Sequence, residues 1–411
     1  MMNGRIDNDI LHAMFSLGDL YVSNFIPMDA KSEDFQRGNL TLAMGNRSRL
    51  VQLTEGIDLD VMYRKYWYNS GTNRSMIFEL KDIVNTCLKH LTFKAGDSWL
   101  DIGCNDGTLF KQLPPEIKKI GIDPSNSALA AKEHADEVIN EYFSYDKVKH
   151  HGRYKFITAI AMFYDLDDPA QFLREIKESL TDDGIFVVQM SYLPLMLEQM
   201  AFDNICHEHL TYYSLTVLNK LFKGSGLVIR DCQINDTNGG SFRIYAQRDD
   251  SNSETFATAP FRDVANFRVE STLAYEDQLD LDKARTYDIF YQNILSLGDE
   301  VRDLIRGLKK EGKTIWGYGA STKGNTLLQY FGLDHKLIDG IAERQSIKYG
   351  LKTIGTEIPI HSEADMRKAN PDYLLMLPWH FVYEFSQREH EYLNSGGKFI
   401  VPCPKLQVIG G

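Results

Sequence analysis

Cysteine is scarce in this sequence, and basic residues do not balance the acidic ones. The 411 residues include five cysteines, at positions 87, 104, 206, 232 and 403, and none of them forms a CxxC pair. A cysteine-based zinc site therefore lacks ligands, and scattered thiols are typical of a reduced, cytoplasmic protein. The sequence has 45 lysines and arginines and 57 aspartates and glutamates, so its formal net charge is −12. This balance argues against nucleic acid or an anionic membrane as the main partner.

Long apolar runs are also missing. No stretch approaches the roughly 20 apolar residues of a membrane-spanning helix. The first residues, MMNGRIDNDILHAMFSLGDL, lack the basic and apolar regions of a secretory signal. We therefore expect a cytoplasmic protein that does not bind membranes. A chain of 411 residues, 43% of them hydrophobic, is long enough for two or three compact units, each with its own core.

The order of apolar segments predicts an α/β protein with two Rossmann-like domains. We expect an N-terminal lobe at residues 1–84, an α/β domain at 85–248, a helical connector at 249–310 and a second α/β domain at 311–411. In both α/β domains short apolar runs alternate with amphipathic segments. The predicted strands are residues 98–102, 119–123, 156–162, 185–190, 227–234 and 241–245 in the first domain, and 314–318, 337–342, 373–377 and 399–401 in the second. Strands 227–234 and 241–245 predict a hairpin that closes a mostly parallel sheet.

A glycine-rich loop, DIGCNDG at residues 101–107, follows the first predicted strand and is expected to open a helix. Gly103 and Gly107 carry no Cβ, so backbone N–H groups can come close to a ligand there. Asp123 ends the next strand, where a carboxylate accepts hydrogen bonds from both ribose hydroxyls. The predicted cofactor contacts are Asp101, Gly103, Asn105, Asp106, Gly107, Asp123, Pro124, Ala161 and Met162.

The glycine pattern alone fits a turn that binds NAD, or no ligand at all, equally well. However, the side chains of Asp101, Asn105 and Asp106 suit a cationic sulfonium and its amino-acid group better than a pyrophosphate. The closing hairpin also matches the sheet of methyltransferases, which ends in an antiparallel strand. The cofactor predicted from this loop is therefore S-adenosyl-L-methionine.

A second group of chemically active side chains lies in the segment CHEHLTYY at residues 206–213. The simplest interpretation is a loop with satisfied hydrogen bonds. A metal site is less favoured, because HEH is not HExxH, and residues two apart do not share a helix face. A general base is favoured, because imidazole titrates near neutral pH.

The motifs DIGCNDG, GIDPS, HEHLTYYS, NGGSFRIY and GYGASTKGN together resemble those of the sugar C-methyltransferases of deoxysugar pathways, over almost the whole chain. The resemblance implies methylation of C3 in a nucleotide-linked 4-keto-6-deoxyhexose. It implies a small N-terminal zinc lobe, a methyltransferase domain and a Rossmann-like C-terminal domain that helps to hold the nucleotide sugar. His209 would be the base with Glu208 beside it, while His207 is the less favoured candidate. Tyr68 and Ser70 would lie near the cofactor, although core packing explains them equally well.

The sequence departs from this family in three places. The expected zinc-binding cysteines fall on Gly4, Asp7, Gly45 and Ser48. We therefore expect the lobe to form without metal. A tyrosine that often precedes HEH is replaced by Cys206, and a histidine after the fourth strand is replaced by Asp165. Both replacements would line the substrate side of the site.

The second glycine-rich loop, GYGASTKGN at residues 317–325, has no acidic residues and carries Lys323. It is expected to follow a strand and open a helix, which is the geometry of an anion site, and Lys323 suits a diphosphate. The alternative is a packing turn in a duplicated domain that has lost its ligand. The predicted substrate contacts are Asp165, Tyr192, Cys206, Asn238, Ser321, Lys323, Asn325, Glu343 and Trp379.

These features favour an enzyme that uses S-adenosylmethionine to methylate carbon in a nucleotide-activated keto-deoxysugar. Two alternatives are methylation of oxygen or nitrogen in a related substrate and a non-catalytic protein that binds nucleotide sugars. The expected partner is a small molecule, with no nucleic acid and no membrane. The sequence does not determine the oligomeric state.

Overall fold

The structure is a computed structural model that describes residues 4–63, 67, 69–90, 92–251 and 261–410. Tyr68, expected near the cofactor, lies outside the described residues. Within these ranges, no helix combines the length and the apolar character needed to cross a bilayer.

The N-terminal lobe is a small antiparallel sheet followed by a short helix. Its elements are β1 (Leu11–Tyr21), β2 (Phe25–Pro27), β3 (Arg37–Gly45), β4 (Val51–Leu53) and α1 (Leu59–Tyr63). Strand β3 lies between β1 and β4, and it pairs with both in antiparallel fashion. Residues 42–44 of the central strand are all buried, as expected where a strand is covered on both faces.

The carboxylate of Asp9 joins two turns of this lobe, in the region where zinc ligands were expected. Asp9 is buried and accepts hydrogen bonds of 2.7 Å from the backbone N–H groups of Arg47 and Ser48. A Cβ at Gly45 would overlap the Ser48 hydroxyl and come within 2.8 Å of Asp9 Oδ2. Burial tends to raise the pKa of Asp9, but the hydrogen bonds from Ser48 and Arg47 outweigh it and lower that pKa. One carboxylate therefore holds together the turn that carries two of the missing ligand positions.

The first α/β domain is built on a seven-stranded sheet. Its elements are α2 (Arg74–His90), β5 (Ser98–Ile102), β6 (Lys118–Ile122), α3 (Ala128–Ala131), β7 (Glu137–Ile139), α4 (Tyr145–Val148), β8 (Tyr154–Ile160), α5 (Pro169–Ser179), β9 (Leu180–Ser191), α6 (Leu193–Glu198), β10 (Thr211–Tyr212), α7 (Leu215–Gly224), β11 (Leu227–Asn235) and β12 (Ser241–Arg248). The strand order is β11-β12-β9-β8-β5-β6-β7, and β12 is antiparallel to both of its neighbours. The predicted closing hairpin is thereby confirmed.

Helix α2 packs on this sheet and not within the N-terminal lobe. Leu80, Ile83 and Val84 are buried in one cluster with Trp99 of β5. The expected boundary between residues 84 and 85 therefore falls inside a helix that belongs to the core of the first α/β domain.

Two long helices connect this domain to a second, six-stranded sheet. The elements are α8 (Phe261–Glu276), α9 (Ala284–Lys310), β13 (Ile315–Tyr318), α10 (Thr322–Phe331), β14 (Gly340–Glu343), β15 (Leu351–Thr353), β16 (Ile360–Ser362), α11 (Glu363–Ala369), β17 (Tyr373–Met376), α12 (Val382–Arg388), α13 (His390–Asn394), β18 (Lys398–Val401) and β19 (Gln407–Ile409). The strand order is β16-β14-β13-β17-β18-β19, in which only β19 is antiparallel to its neighbour. The α/β fold class is confirmed, and α8 and α9 lie within the residues expected to form the connector.

The N-terminal lobe is joined to both α/β domains by strand pairing. Strand β2 pairs with β15 of the second domain. Strand β10 begins two residues after His207-Glu208-His209, the HEH segment, and it extends the lobe's sheet by pairing with β4. Phe15 of β1 also belongs to the same hydrophobic core as Tyr287 of α9 and Phe331 of α10. The lobe therefore holds the HEH segment between the two domains.

Candidate active site

Among the described residues, a cavity of about 490 Å³ lies between the two α/β domains. Loops at the carboxyl ends of both parallel sheets line it, as is usual for ligand sites in such folds. The HEH segment and the end of α1 line it as well. Both glycine-rich loops and the candidate base, His209, therefore line the same cavity.

Asp123 lies at the carboxyl end of β6, as predicted, and lines the cavity. Its carboxylate accepts hydrogen bonds from the backbone N–H groups of Asn105, at 2.9 Å, and Ser125, at 2.7 Å. These bonds fix the carboxylate at the strand end, where it can accept further hydrogen bonds from a ribose.

Asp101 is buried beneath the loop and also lines the cavity. Burial raises its pKa to about 7, although a 2.6 Å hydrogen bond from the Thr158 hydroxyl partly offsets this. A cationic ligand would favour the ionised carboxylate and offset the cost of burying it. The site is therefore suited to a positively charged group.

The first glycine-rich loop differs from the expectation in three respects. No α-helix follows it directly, because the chain forms a 3-10 turn at Phe110–Gln112. Gly107 does not line the cavity; its φ is +73°, and a Cβ there would lie 2.8 Å from Ala131 Cα. Asp106 also lies outside the cavity lining, since it accepts hydrogen bonds from the Thr108 hydroxyl and from Gly71 N–H. Both residues shape the loop and do not face the ligand space.

Other predicted cofactor residues do line the cavity: Ser70, Gly103, Asn105, Pro124, Ala161 and Met162. Ser70 N–H donates a 3.0 Å hydrogen bond to Asn105 Oδ1, which ties the segment before α2 to the loop. Gly103 has a φ of +74°, a conformation that favours glycine.

His209 lines the cavity with a neutral, oriented imidazole. Its Nδ1 lies 2.9 Å from Asn204 O, and because a carbonyl oxygen can only accept, Nδ1 must donate. The proton on Nδ1 leaves Nε2 as the basic nitrogen. Burial and then the charge of Lys323 lower the pKa of His209 to about 3. The ring of Tyr164 contacts the imidazole at 4.3 Å between centroids and restricts its orientation.

The two neighbours of His209 in the HEH segment have different positions. Glu208 lines the cavity, where burial raises its pKa to about 7 against the opposing effects of Lys323 and the Thr322 hydroxyl. His207 instead faces the N-terminal lobe, with Nε2 lying 3.0 Å from Gly38 O. His207, the less favoured candidate for the base, is buried and does not line the cavity, so the structure does not bring it to this site.

The second glycine-rich loop repeats the backbone geometry of the first. Gly103 N–H bonds to Ile122 O and Gly319 N–H to Ala342 O, both at 2.8 Å. Glu343 takes the place that Asp123 has in the first domain: its carboxylate accepts a 3.0 Å hydrogen bond from Ala320 N–H. Both loops line the same cavity. The two strand-and-loop units therefore share the same pattern of backbone hydrogen bonds.

Ser321 and Lys323 line the cavity, but their side chains already form hydrogen bonds within the protein. The Ser321 hydroxyl accepts a hydrogen bond from Gly324 N–H and caps α10. Lys323 Nζ lies 3.5 Å from the carbonyl oxygen of Asn238, another predicted residue that lines the cavity. Burial lowers the pKa of Lys323, while nearby Asp203 opposes that shift. This ammonium therefore faces the HEH side of the cavity.

Four predicted substrate residues do not line the cavity, because tertiary packing occupies their side chains. The Tyr192 hydroxyl donates to buried Glu276 at 2.8 Å. Asn325 donates to Asn24 O at 2.9 Å, and Trp379 Nε1 donates to Asp203 at 3.2 Å. Cys206, which directly precedes His207, is buried. The remaining predicted residue, Asp165, does line the cavity.

The cavity lining also includes residues that were not named among the predicted contacts: Tyr63, Trp67, Tyr142, Tyr318, Arg344, Lys348, His380, Phe381, Phe385 and Arg388. Trp379, the predicted contact in the segment PWHF at residues 378–381, does not line the cavity, whereas His380 and Phe381 of that segment do. Arg344 follows Glu343 directly at the end of β14. Because strand ends face the ligand side of such a sheet, this position could have identified Arg344 from the sequence as a cation that lines the cavity.

The HEH segment also brings together three kinds of side chain that can bind a metal ion, although its spacing argued against a metal site. Ligand atoms of Cys206, Glu208 and His209 lie within 4.8 Å of one another. Burial raises the pKa of the Cys206 thiol well above its ordinary value, so the thiol holds its proton. The charge of Lys323 also acts on this cluster, and it disfavours a second cation.

Comparison with known proteins identifies two matching families along the chain. Residues 73–231 match the family described as methyltransferase domain, and residues 236–404 match the C-methyltransferase C-terminal domain. The chain is 32% identical over 378 residues to C-methyltransferase NovU of Streptomyces niveus, covering 90% of this chain and 87% of that protein.

Solved structures with similar folds cover less of the chain. The S-adenosylmethionine-dependent methyltransferase of Clostridium acetobutylicum ATCC 824 has 15% identity and a TM-score of 0.35, over 42% of this chain and 92% of that one. Magnesium protoporphyrin IX methyltransferase of Synechocystis PCC 6803 has 12% identity and a TM-score of 0.34, over 43% and 88%. The family matches and the extensive identity to NovU establish that the chain belongs to the C-methyltransferase family and is an S-adenosylmethionine-dependent methyltransferase.

Proposed function

We propose that this enzyme methylates a carbon next to the ketone of a nucleotide-linked keto-deoxysugar, with His209 as the base. The observation that carries the proposal is the position of a neutral imidazole in one cavity between two glycine-rich loops of different chemistry. A base at that position can act on a substrate held by one loop while the cofactor lies against the other.

Asp101, Asn105 and Asp123 are proposed to hold the cofactor. Asp123 is fixed by two backbone amides at the position that suits a ribose, and Asp101 offers a buried carboxyl to a cationic group. When bound, S-adenosylmethionine supplies an electrophilic methyl group. Ser70 and Met162 line the same part of the cavity and help to exclude water from it.

The C-terminal domain is proposed to hold the nucleotide. Glu343, at the end of β14, suits a ribose for the same geometric reason as Asp123. The rings of Phe381 and Phe385 offer an apolar surface for a base, and the exposed Arg344 offers a cation to the diphosphate. Lys323, expected at the diphosphate, faces Glu208 and is better suited to the sugar end.

His209 is proposed to remove a proton from the carbon next to the ketone. A ketone acidifies that proton, because the charge that develops is delocalised onto the carbonyl oxygen. The hydrogen bond from Nδ1 to Asn204 O keeps the proton off Nε2 and fixes the ring. The pKa of about 3 keeps the imidazole unprotonated at neutral pH, but it also makes His209 a weaker base than the sequence led us to expect.

We also propose that the enzyme is cytoplasmic and that its N-terminal lobe forms without zinc. All five cysteines are unpaired and buried, which suits a reducing compartment. The hydrogen bonds of Asp9 to Arg47 and Ser48 supply the local connection that a metal would otherwise provide.

The test is to incubate the purified enzyme with S-adenosylmethionine and a panel of nucleotide-linked keto sugars. We expect mass spectrometry to show one added methyl group and NMR to place it on the carbon next to the ketone. Methylation of oxygen or nitrogen alone would refute the proposed chemistry. Failure of every keto sugar, with methylation of another substrate class, would refute the proposed substrate.

A further inference from the structure

Two histidines and one glutamate lie together at the end of the first sheet that is opposite to the cavity. Glu137 begins β7, and His151 ends the 3-10 turn Lys149–His151, which precedes β8. Both positions are at the amino ends of parallel strands, whereas the cavity lies at the carboxyl ends. Glu137, His150 and His151 do not line the cavity. This cluster therefore belongs to a different surface from the active site.

The three side chains are close enough to share one ion. One ligand atom from each of them lies within 4.8 Å of the other two. His151 Nε2 is 3.3 Å from Glu137 Oε2, and His150 Nε2 is 3.7 Å from Glu137 Oε1. Two ligands of a tetrahedral zinc ion, each about 2.0–2.1 Å from the metal, are separated by roughly 3.3–3.4 Å. The cluster therefore has nearly the dimensions of a zinc site before any side chain moves.

The imidazole of His151 presents a ring nitrogen to this cluster. Its Nε2 is buried and forms no hydrogen bond with any described residue, although it lies close to Glu137. A buried polar atom usually has such a bond. Burial lowers the pKa of His151, while the charge of Glu137 opposes that shift. A metal ion binds the neutral imidazole, so burial favours the form that acts as a ligand.

Lys118, at the start of β6, contacts the other nitrogen of the same ring. Its Nζ lies 3.3 Å from His151 Nδ1, and because an ammonium can only donate, Nδ1 accepts in the absence of metal. Metal binding at Nε2 would place the proton on Nδ1, so Lys118 would have to turn away. Lys118 is exposed and can do so. Its charge therefore weakens metal binding without preventing it.

We propose that Glu137, His150 and His151 bind one divalent transition-metal ion, with Zn²⁺ as the ion whose ligand preferences this set matches. Imidazole nitrogen and carboxylate oxygen are both ordinary zinc ligands, and water can take the fourth position. The side chains of His150 and Glu137 are 56% and 47% exposed, so the ion can exchange with the solvent. It would link the edge strand β7 to the turn before β8. The site is independent of the proposed methylation.

The test is calorimetric titration of chelator-treated protein with Zn²⁺. We expect one saturable site in the wild type and binding about tenfold weaker or more in His151→Asn and in Glu137→Gln, since each variant loses one of three ligands. His12→Asn, which removes an exposed histidine of the N-terminal lobe, is the matched control and should bind as the wild type does. Lys118→Gln should bind about tenfold more tightly, because its amide oxygen can accept the proton on Nδ1.

Hydrogen exchange locates the bound ion. Zn²⁺ should slow exchange in peptides from β7 and from the turn before β8 in the wild type, but not in His151→Asn. Unchanged affinity for S-adenosylmethionine shows that each variant is folded. The absence of saturable Zn²⁺ binding to the wild type and to Lys118→Gln would overturn the proposal. Binding that His151→Asn and Glu137→Gln leave unchanged, but that Cys206→Ser removes, would overturn it as well and would assign the ion to the cluster of Cys206, Glu208 and His209.

Discussion

Replacing Asp9 with alanine should destabilise the N-terminal lobe by about 3 kcal/mol. In the structure its carboxylate accepts two backbone hydrogen bonds of 2.7 Å, from Arg47 and Ser48, and the residue is 2% exposed. A hydrogen bond to a charged group contributes about 1.5–3 kcal/mol, and water can replace part of it in the variant. The total loss is therefore close to that of one or two such bonds.

Hydrogen exchange followed by mass spectrometry is the appropriate assay, because it reports the opening of the lobe separately from the rest of the chain. Peptides from β1 and β3 should exchange faster in Asp9→Ala, whereas peptides from β13 and β14 should not. Asp29→Ala, a change at an exposed acidic residue of the same lobe, is the matched control.

The effect of Asp9 should also depend on pH. Its pKa is lowered in the folded lobe. Its contribution is therefore full above the ordinary value of 3.8 and is lost as the pH falls through the lowered folded value. The wild type and Asp9→Ala should converge in strong acid. A variant within about 0.5 kcal/mol of the wild type at pH 7, or one tightly bound zinc per chain, would refute this account.

Three further predictions concern the cavity. Asp123→Ala should weaken binding of S-adenosylmethionine or its demethylated product at least tenfold in calorimetry, by removing the proposed ribose acceptor; undiminished affinity would contradict this. Lys323→Ala should weaken substrate binding by about 1.5–3 kcal/mol, as expected for a lost charged hydrogen bond. Cofactor affinity should stay unchanged, and unchanged substrate affinity would remove Lys323 from the substrate site. Because the pKa of His209 is lowered to about 3, protonation of this base should not reduce kcat/KM between pH 8 and pH 5; an acid limb near pH 6.5 that disappears in His209→Asn would refute this.

The sequence predicted the features that depend on local patterns. Short apolar runs predicted most strands of both sheets but missed β7, β16 and β19, and the acidic residues at the ends of β6 and β14 were proposed as ligand positions. Asp123 and Glu343 line the cavity because the carboxyl end of a parallel strand faces the ligand side of such a sheet. Asp123 and Glu343 needed no knowledge of distant residues.

Side-chain direction in loops was harder to predict. His207 and His209 are two residues apart, yet one faces the N-terminal lobe and the other lines the cavity. Trp379 was chosen as the ligand-facing aromatic, but Asp203 accepts its N–H and turns it inward. The partners of His207 and Trp379, Gly38 and Asp203, are far away in the sequence, and a single sequence does not identify them.

Non-local pairing also limited what could be foreseen in the N-terminal lobe. Its fourth strand, β10, comes from the segment after HEH and pairs with β4. The missing zinc cysteines were visible in the sequence, whereas the role of Asp9 depends on the turn that brings it to Arg47 and Ser48.

Solvent exchange at the reacting carbon tests the central proposal most directly. In heavy water, the wild type should replace the hydrogen next to the ketone of a nucleotide-linked keto sugar with deuterium. His209→Asn should reduce both exchange and turnover about a hundredfold or more, with cofactor affinity nearly unchanged. His207→Asn, which alters the neighbouring imidazole outside the cavity, should retain both activities. Exchange and turnover at wild-type rates in His209→Asn would contradict the account.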